Sequence, residues 1–296
     1  MLWSMLRIRY LLEYLPLYLI YCLCRVLGFS KASALGGFIG RTAGYVYAQL
    51  SGVADNNIRR VFPKLSTKER QNLIKQACDN MGRTFFEYFV LDIADRDINF
   101  KCTQVNGEVM ELLSEDKPPI MLFSAHLGNW EIGAKNITDS GHSLTPIYRP
   151  INNPYVDALI LKCRGQVVTS QIAKGRRSGI ESIRTLKAGT NMVVLADQKY
   201  NEGLDIPFFG VSAKTADGFV KLAKASGAKI VPIVITRHNK TEFIVRLSAD
   251  IMDPETDSIE EILKKCNSHI EDWIKTYPEQ WFWFHRRWDK KLYKKR

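Results

Sequence analysis

Residues 118–133 read PPIMLFSAHLGNWEIG, an apolar run Ile120–Ala125 followed by His126, a Gly128-Asn129 pair and then Trp130 and Glu131. The run is short and closed by turn residues, which predicts a buried strand, a turn and a helix beginning near Trp130. His126 therefore falls at the carboxyl end of a strand, where open α/β sheets collect ligands. An imidazole titrates near working pH and can take a proton from an alcohol, and a carboxylate on its second nitrogen fixes the tautomer. Of the five histidines only His126 has an acid five residues on, so Glu131, in the first helical turn, is the expected partner.

Working outward, the chain alternates apolar runs with amphipathic ones. IMLFSA, SLTPIY, NMVVLA, KIVPIVIT and EFIVRL read as strands. Helices are expected near Trp130 to Asp139, Pro154 to Arg164, Ser178 to Ala188, Thr215 to Ser226 and Ile259 to Thr276, with Gly165, Gly189 and Gly227 as terminators. This is the pattern of an α/β protein with a largely parallel central sheet and flanking helices. Ahead of it, Ser66 and Glu69 form a capping-box pattern before Leu73, Ala77, Met81, Phe85 and Phe89, an every-fourth-residue stripe that predicts a helix with a core-facing side. No repeat or low-complexity linker divides the chain. Residues 31–296 are expected to form a single domain with a helical N-terminal part.

Residues 1–30 are expected to be a membrane anchor. Tyr14–Cys24 (YLPLYLIYCLC) is uncharged and apolar but covers only about 16 Å as a helix; with Glu13 and Arg25 snorkelling, the segment from about Tyr10 to Phe29 reaches about 30 Å. Both spanning and interfacial placements satisfy it. The chain carries 42 basic and 31 acidic residues among 296, a net charge of +11 that calls for an anionic partner. WFWFHRRWDKKLYKKR (281–296) alone has seven basic residues and one acid. Its rings and cations, Arg286 and Arg287 among them, suit a headgroup level or a lipid phosphate. No RRM, KH or helix-turn-helix pattern supports nucleic acid. The six cysteines form no CxxC pair and have no histidine at zinc spacing, so neither a metal nor a disulfide framework is expected.

Other candidates cluster at predicted strand ends. Arg149 follows PIY and could clamp a phosphate bidentately. Asp197 and Gln198 end VVLADQ, where they could orient Arg149 or an acceptor sugar, and Asn129 on the turn after His126 joins the candidate substrate contacts. No serine or cysteine occupies a nucleophile elbow, which favours direct attack by an acceptor hydroxyl. Donors to the developing oxyanion are sought in backbone N–H groups after His126.

HLGNWE resembles the His-x4-Asp/Glu motif of the glycerolipid acyltransferase superfamily, and its Gly-Asn-Trp-Glu form is similar to the bacterial lipid A biosynthesis acyltransferases, the lauroyl and myristoyl transferases. PIYRP, VVLADQ with IPFFG behind it, IVPI and PEQWFWFHRRW resemble later blocks of that family in the same order. The third block, ADQKYNEGLDIPFFG, departs from the Glu-Gly-Thr-Arg type of the glycerol-phosphate enzymes, as the lipid A branch does. The resemblance implies transfer of a fatty acyl chain from acyl carrier protein to a hydroxyl of a lipid A precursor, a phosphorylated glucosamine disaccharide, on the cytoplasmic side of a bacterial inner membrane. It implies no cofactor. Acylation of another glycolipid, aminolipid or phospholipid, or non-catalytic membrane binding, are the alternatives.

Overall fold

The protein is described here from a computed structural model covering residues 2–114, 116–249 and 252–293. Its strands are β1 (Lys101–Val105), β2 (Ile120–Ser124), β3 (Leu144–Tyr148), β4 (Ile172–Ala173), β5 (Asn191–Leu195), β6 (Leu204–Phe208), β7 (Val211–Thr215), β8 (Lys229–Arg237) and β9 (Glu242–Leu247). Seven of them form one sheet in the order β1-β9-β8-β2-β5-β3-β4, and β6 and β7 pair separately as an antiparallel hairpin. Within the large sheet the neighbours run parallel except β8 with β9.

All five residues of β2 and eight of the nine in β8 are buried, as a central strand covered on both faces requires. The period-two alternation of β2 sorts its side chains between two apolar clusters. Met121 and Phe123 pack with Phe219, Ile262 and Ile270, whereas Ile120 and Leu122 pack with Ile132, Ile137 and Phe243. Helices Trp130–Asp139, Pro154–Arg164 and Ile259–Thr276 lie where the sequence predicts them. The expected helix from Thr215 starts instead at Gly218, because Thr215 is the last residue of β7, paired with Leu204.

The N-terminal helix Leu2–Ile39 is broken at Gly28 (φ 74°, ψ −179°) and crosses the helix Thr67–Glu87. Glycines make that crossing close: a Cβ on Gly36 would lie 2.3 Å from Gly82 O, and one on Gly82 would lie 2.1 Å from Gly36 O. Cys24, Phe29 and Ala32 are buried against the body, whereas Leu12 is 65% exposed, Leu19 68% and Val26 86%. Among the described residues, one helical stretch, Leu6–Ser51, is long and apolar enough to cross a membrane by length and composition.

The expectation of a membrane-facing aromatic and basic tail is corrected. Trp281, Trp283, Trp288 and Arg287 are buried in the core. Each indole hides about 150–250 Å² when enclosed, and this binds the segment to the body. Arg287 donates there from its two terminal nitrogens to Lys214 O (3.0 Å) and Thr215 Oγ1 (2.8 Å) while stacking over Phe208, its buried Nε having no partner among the described residues. Arg286, Lys290 and Lys291 remain exposed, and the cations of residues 294–296 lie outside the described residues.

Candidate active site

The turn after β2 is held from beneath. Gly128 adopts φ +62°, and a Cβ there would come within 2.2 Å of Ile235 O, so glycine alone fits. Its carbonyl accepts from Asn80 Nδ2 (3.2 Å) and Thr84 Oγ1 (2.9 Å), and its N–H donates to Gln280 O (3.1 Å). Asn129 caps the helix Trp130–Asp139 by accepting from Glu131 N, and its Nδ2 donates to Glu87 Oε2 (2.8 Å). Glu87 is fully buried and forms a bidentate pair with Arg237 at 2.5 and 2.8 Å. Asn129 is thus enclosed, and the expectation that it contacts substrate is replaced by a role in fixing the turn.

This scaffold presents His126, whose side chain is 20% exposed, to a cleft of about 1290 Å³ along the carboxyl ends of β2, β5 and β3. Its Nδ1 lies 2.8 Å from Asp197 Oδ1, while Asp197 Oδ2 accepts from His126 N (3.0 Å) and Trp281 Nε1 (2.8 Å). Burial of Asp197 would raise its carboxyl, but the His126 imidazole and these donors hold it below the usual carboxylate range. A charged Asp197 accepts Nδ1–H, which puts the lone pair on Nε2, on the cleft side, where the Gln198 amide can donate to it. Gln198 Nε2 stands 3.4 Å from that atom.

The expected partner of His126 is therefore corrected from Glu131 to Asp197. Glu131 is engaged elsewhere, accepting from Arg164 at 2.6 and 3.1 Å and from Trp130 Nε1 at 3.2 Å. Burial would lower the Arg164 guanidinium, but the charge and hydrogen bonds of Glu131 keep it raised. Trp130 links the two pairs, its ring 4.9 Å from the imidazole. The backbone donors sought after His126 are also committed, Leu127 N to Ala125 O and Gly128 N to Gln280 O.

The C-terminal segment completes the site. Leu127 bridges Trp281, Phe282 N donates to His126 O (2.9 Å), and Lys199 N donates to His285 Nε2 (3.2 Å). Burial lowers His285, consistent with a neutral ring accepting at Nε2. Trp281 and His285, expected with the rest of the tail at a membrane surface, belong instead to the frame of the site, the first donating to Asp197 and the second accepting from Lys199 N. Arg149 lies exposed on the cleft rim. Arg287 does not reach the cleft, and neither it nor Arg286 lines it. One wall is apolar, built from Ile137, Leu144, Ile160, Val193, Ile233 and Ile235, and the rim carries Arg149, Lys174 and Lys199. The cleft thus sets an apolar wall beside a rim that carries three cations. Among the described residues no group of acids, histidines and cysteines could hold a metal.

Comparison with known proteins agrees with this chemistry. The chain is 27% identical over 260 residues to the lipid A biosynthesis lauroyltransferase of Escherichia coli (strain K12), covering 86% of this chain and 83% of that one. It is 25% identical over 291 residues to a lipid A biosynthesis acyltransferase of Haemophilus influenzae, covering 95% and 88%. It is likewise 25% identical over 262 residues to the lipid A biosynthesis palmitoleoyltransferase of Escherichia coli (strain K12), covering 86% and 83%. The family model for bacterial lipid A biosynthesis acyltransferases matches residues 1–290, and the chain belongs to that family.

Proposed function

We propose that the protein transfers a fatty acyl chain from an acyl carrier protein thioester to a hydroxyl of a lipid A precursor, with His126 as general base. The imidazole carried at a strand end with Asp197 on Nδ1 and Nε2 open to a half-apolar cleft is the observation that supports this most. The acceptor hydroxyl gives its proton to Nε2 as its oxygen attacks the thioester carbonyl. The tetrahedral intermediate then expels the carrier thiolate, which recovers that proton. Asp197 stabilises the imidazolium between the two steps, and base catalysis of this kind contributes roughly 10² to 10⁴ in rate. In this reading the Gln198 carboxamide, whose Nε2 stands 3.4 Å from His126 Nε2, turns an N–H to the oxyanion, and Glu131 holds Arg164 and Trp130 in the cleft wall.

Residues 1–30 act as the membrane anchor in this reading, and residues 31–296 as one catalytic domain on the cytoplasmic side of the inner membrane. The exposed row Leu12, Leu19 and Val26 supports the anchor. The test is transfer of label from acyl carrier protein to purified lipid A precursor by the detergent-solubilised protein. A folded His126→Ala variant should lose at least about a hundredfold, and transfer to a different membrane lipid instead would reassign the acceptor.

A further inference from the structure

We infer that the cleft holds a phosphate-binding subsite, facing His126, at the N-terminus of the helix Ser178–Lys187. The inference rests on the acyl transfer proposed above only for the identity of the phosphate. Three adjacent parallel strands deliver cations to one place: Arg149 follows β3, Lys174 follows β4 and Lys199 lies four residues after β5. Lys174 N donates to Tyr148 O (2.8 Å), which fixes the β3 and β4 ends side by side. Lys174 Nζ sits 4.1 Å from the centre of the Tyr200 ring, and among the described residues none of the three cations forms an ion pair within 4 Å, although the charge of Lys199 helps to lower the Asp289 carboxyl.

The acids at the same cleft are already engaged. Asp217 pairs with Lys221 (2.7 Å), Glu202 accepts from Tyr200 OH (3.0 Å) and Asp157 accepts from Ile151 N (2.8 Å). Five cations (Arg149, Arg164, Lys174, Lys199, Lys221) then face four carboxylates (Glu131, Asp157, Glu202, Asp217) along the cleft, and Arg149, Lys174 and Lys199 are the cations left without an ion pair among the described residues.

The helix adds directed donors. Ser178 and Gly179 line the cleft at its first turn, and Arg177 at the N-cap supplies no side-chain cap. Ser178 N donates to Gly175 O (3.2 Å) and Glu181 N to Arg177 O (3.0 Å), so the N–H groups of Gly179 and Ile180 are the ones this helix end offers to an anion, with Glu181 in the same turn. A second observation is independent of the helix end. Ser182, one turn further along the face that lines the cleft, is fully buried, and its Oγ has no hydrogen-bond partner. A buried hydroxyl left unpaired is costly, and a ligand oxygen arriving from the cleft would satisfy it.

Two phosphates fit this chemistry, the phosphomonoester of an acceptor sugar and the phosphodiester of the carrier's pantetheine arm. The first experiment titrates inorganic pyrophosphate into the full-length His126→Ala protein, so that its outcome is independent of catalysis. Binding is expected to weaken about tenfold or more in a Lys174→Met/Lys199→Met background, since two charge-assisted contacts are lost. Ser182→Ala, which leaves every surface charge in place, should weaken it about threefold or more. Unchanged affinity in both variants overturns the subsite.

The second experiment compares KM values between the wild-type protein and Lys174→Met/Lys199→Met with His126 retained. A raised KM for phosphorylated acceptor, absent when the acceptor lacks its phosphate, identifies the sugar phosphate as occupant. A raised KM for acyl carrier protein identifies the pantetheine phosphodiester. No change in either KM overturns the inference for turnover, whereas pyrophosphate binding without any acyl transfer would sustain the subsite and remove the proposed reaction.

Discussion

Replacing Asp197 by Asn probes the site through a proton position rather than a shape. Asp197 Oδ2 accepts two N–H donors, from His126 and Trp281, and Oδ1 alone faces Nδ1. An asparagine keeps its oxygen where two donors converge, which turns its NH2 toward the imidazole. A donor at that point selects the tautomer protonated on Nε2 and removes the lone pair that faces the cleft. Loss of base catalysis then costs about 10² to 10⁴ in turnover, or roughly 3–5 kcal/mol in the barrier. The fold should persist, because both backbone and indole donors stay satisfied; Asp197→Ala should instead cost about 1–3 kcal/mol of stability for each donor it orphans. Turnover is read as label transfer from acyl carrier protein, with circular dichroism confirming the fold. The pH dependence of stability supplies a second readout. The Asp197 carboxyl is lowered on folding, so its stabilising contribution is complete above about pH 4 and is lost as pH falls through the depressed value. Wild type and Asp197→Asn should therefore converge in stability on acidification. A folded Asp197→Asn protein with turnover within about fivefold of wild type would refute the tautomer argument, being less than the hundredfold minimum expected.

Glu131→Ala should lower stability by about 3–5 kcal/mol, since it leaves Arg164 charged and unpaired in a nearly buried site; thermal melts should show much of that loss recovered in Glu131→Ala/Arg164→Met. Arg287→Gln should lower the melting temperature without changing vesicle binding, because the guanidinium bonds Lys214 O and Thr215 Oγ1 in the interior; release from vesicles with an unchanged melting temperature would contradict this placement. Leu12→Ser/Leu19→Ser/Val26→Ser should shift the protein from membrane pellet to supernatant, each apolar side chain being worth about 1.5–3 kcal/mol when buried in lipid. Retention of the triple variant in the pellet at high salt would remove the N-terminal row from the membrane contact.

The central strands were legible because their apolar runs are bounded by turn residues and β2 is buried on both faces. The short β4 and the hairpin of β6 and β7 were not, since two residues or a polar alternation carry little periodic signal. His126 could be located from its strand and turn, but its partner could not. Two carboxylates satisfy the chemistry, and only the lateral pairing of β2 with β5, Ser124 beside Leu195, brings Asp197 to the ring from 71 residues away. The same limit misplaced 281–288. Tryptophans beside arginines have one composition whether they face lipid or a protein interior. What distinguishes the cases is the pair of acceptors at Lys214 and Thr215 that makes a buried guanidinium tolerable, and these come from a distant hairpin.

The weaving of residues 280–288 through the site also imposes an order in time. During synthesis the helix Leu2–Ile39 emerges before the described strands, whereas Gln280, Trp281, Phe282 and His285 follow all nine of them. Until they are in place, the Gly128 and Lys199 amides lack their acceptors and the Asp197 carboxylate lacks the Trp281 indole donor, keeping only its bonds to His126. On the proposed function, a nascent chain would engage a bilayer through the helix Leu2–Ile39 while His126 is still unsupported, and His126 would gain its full frame only when residues 280–288 have docked.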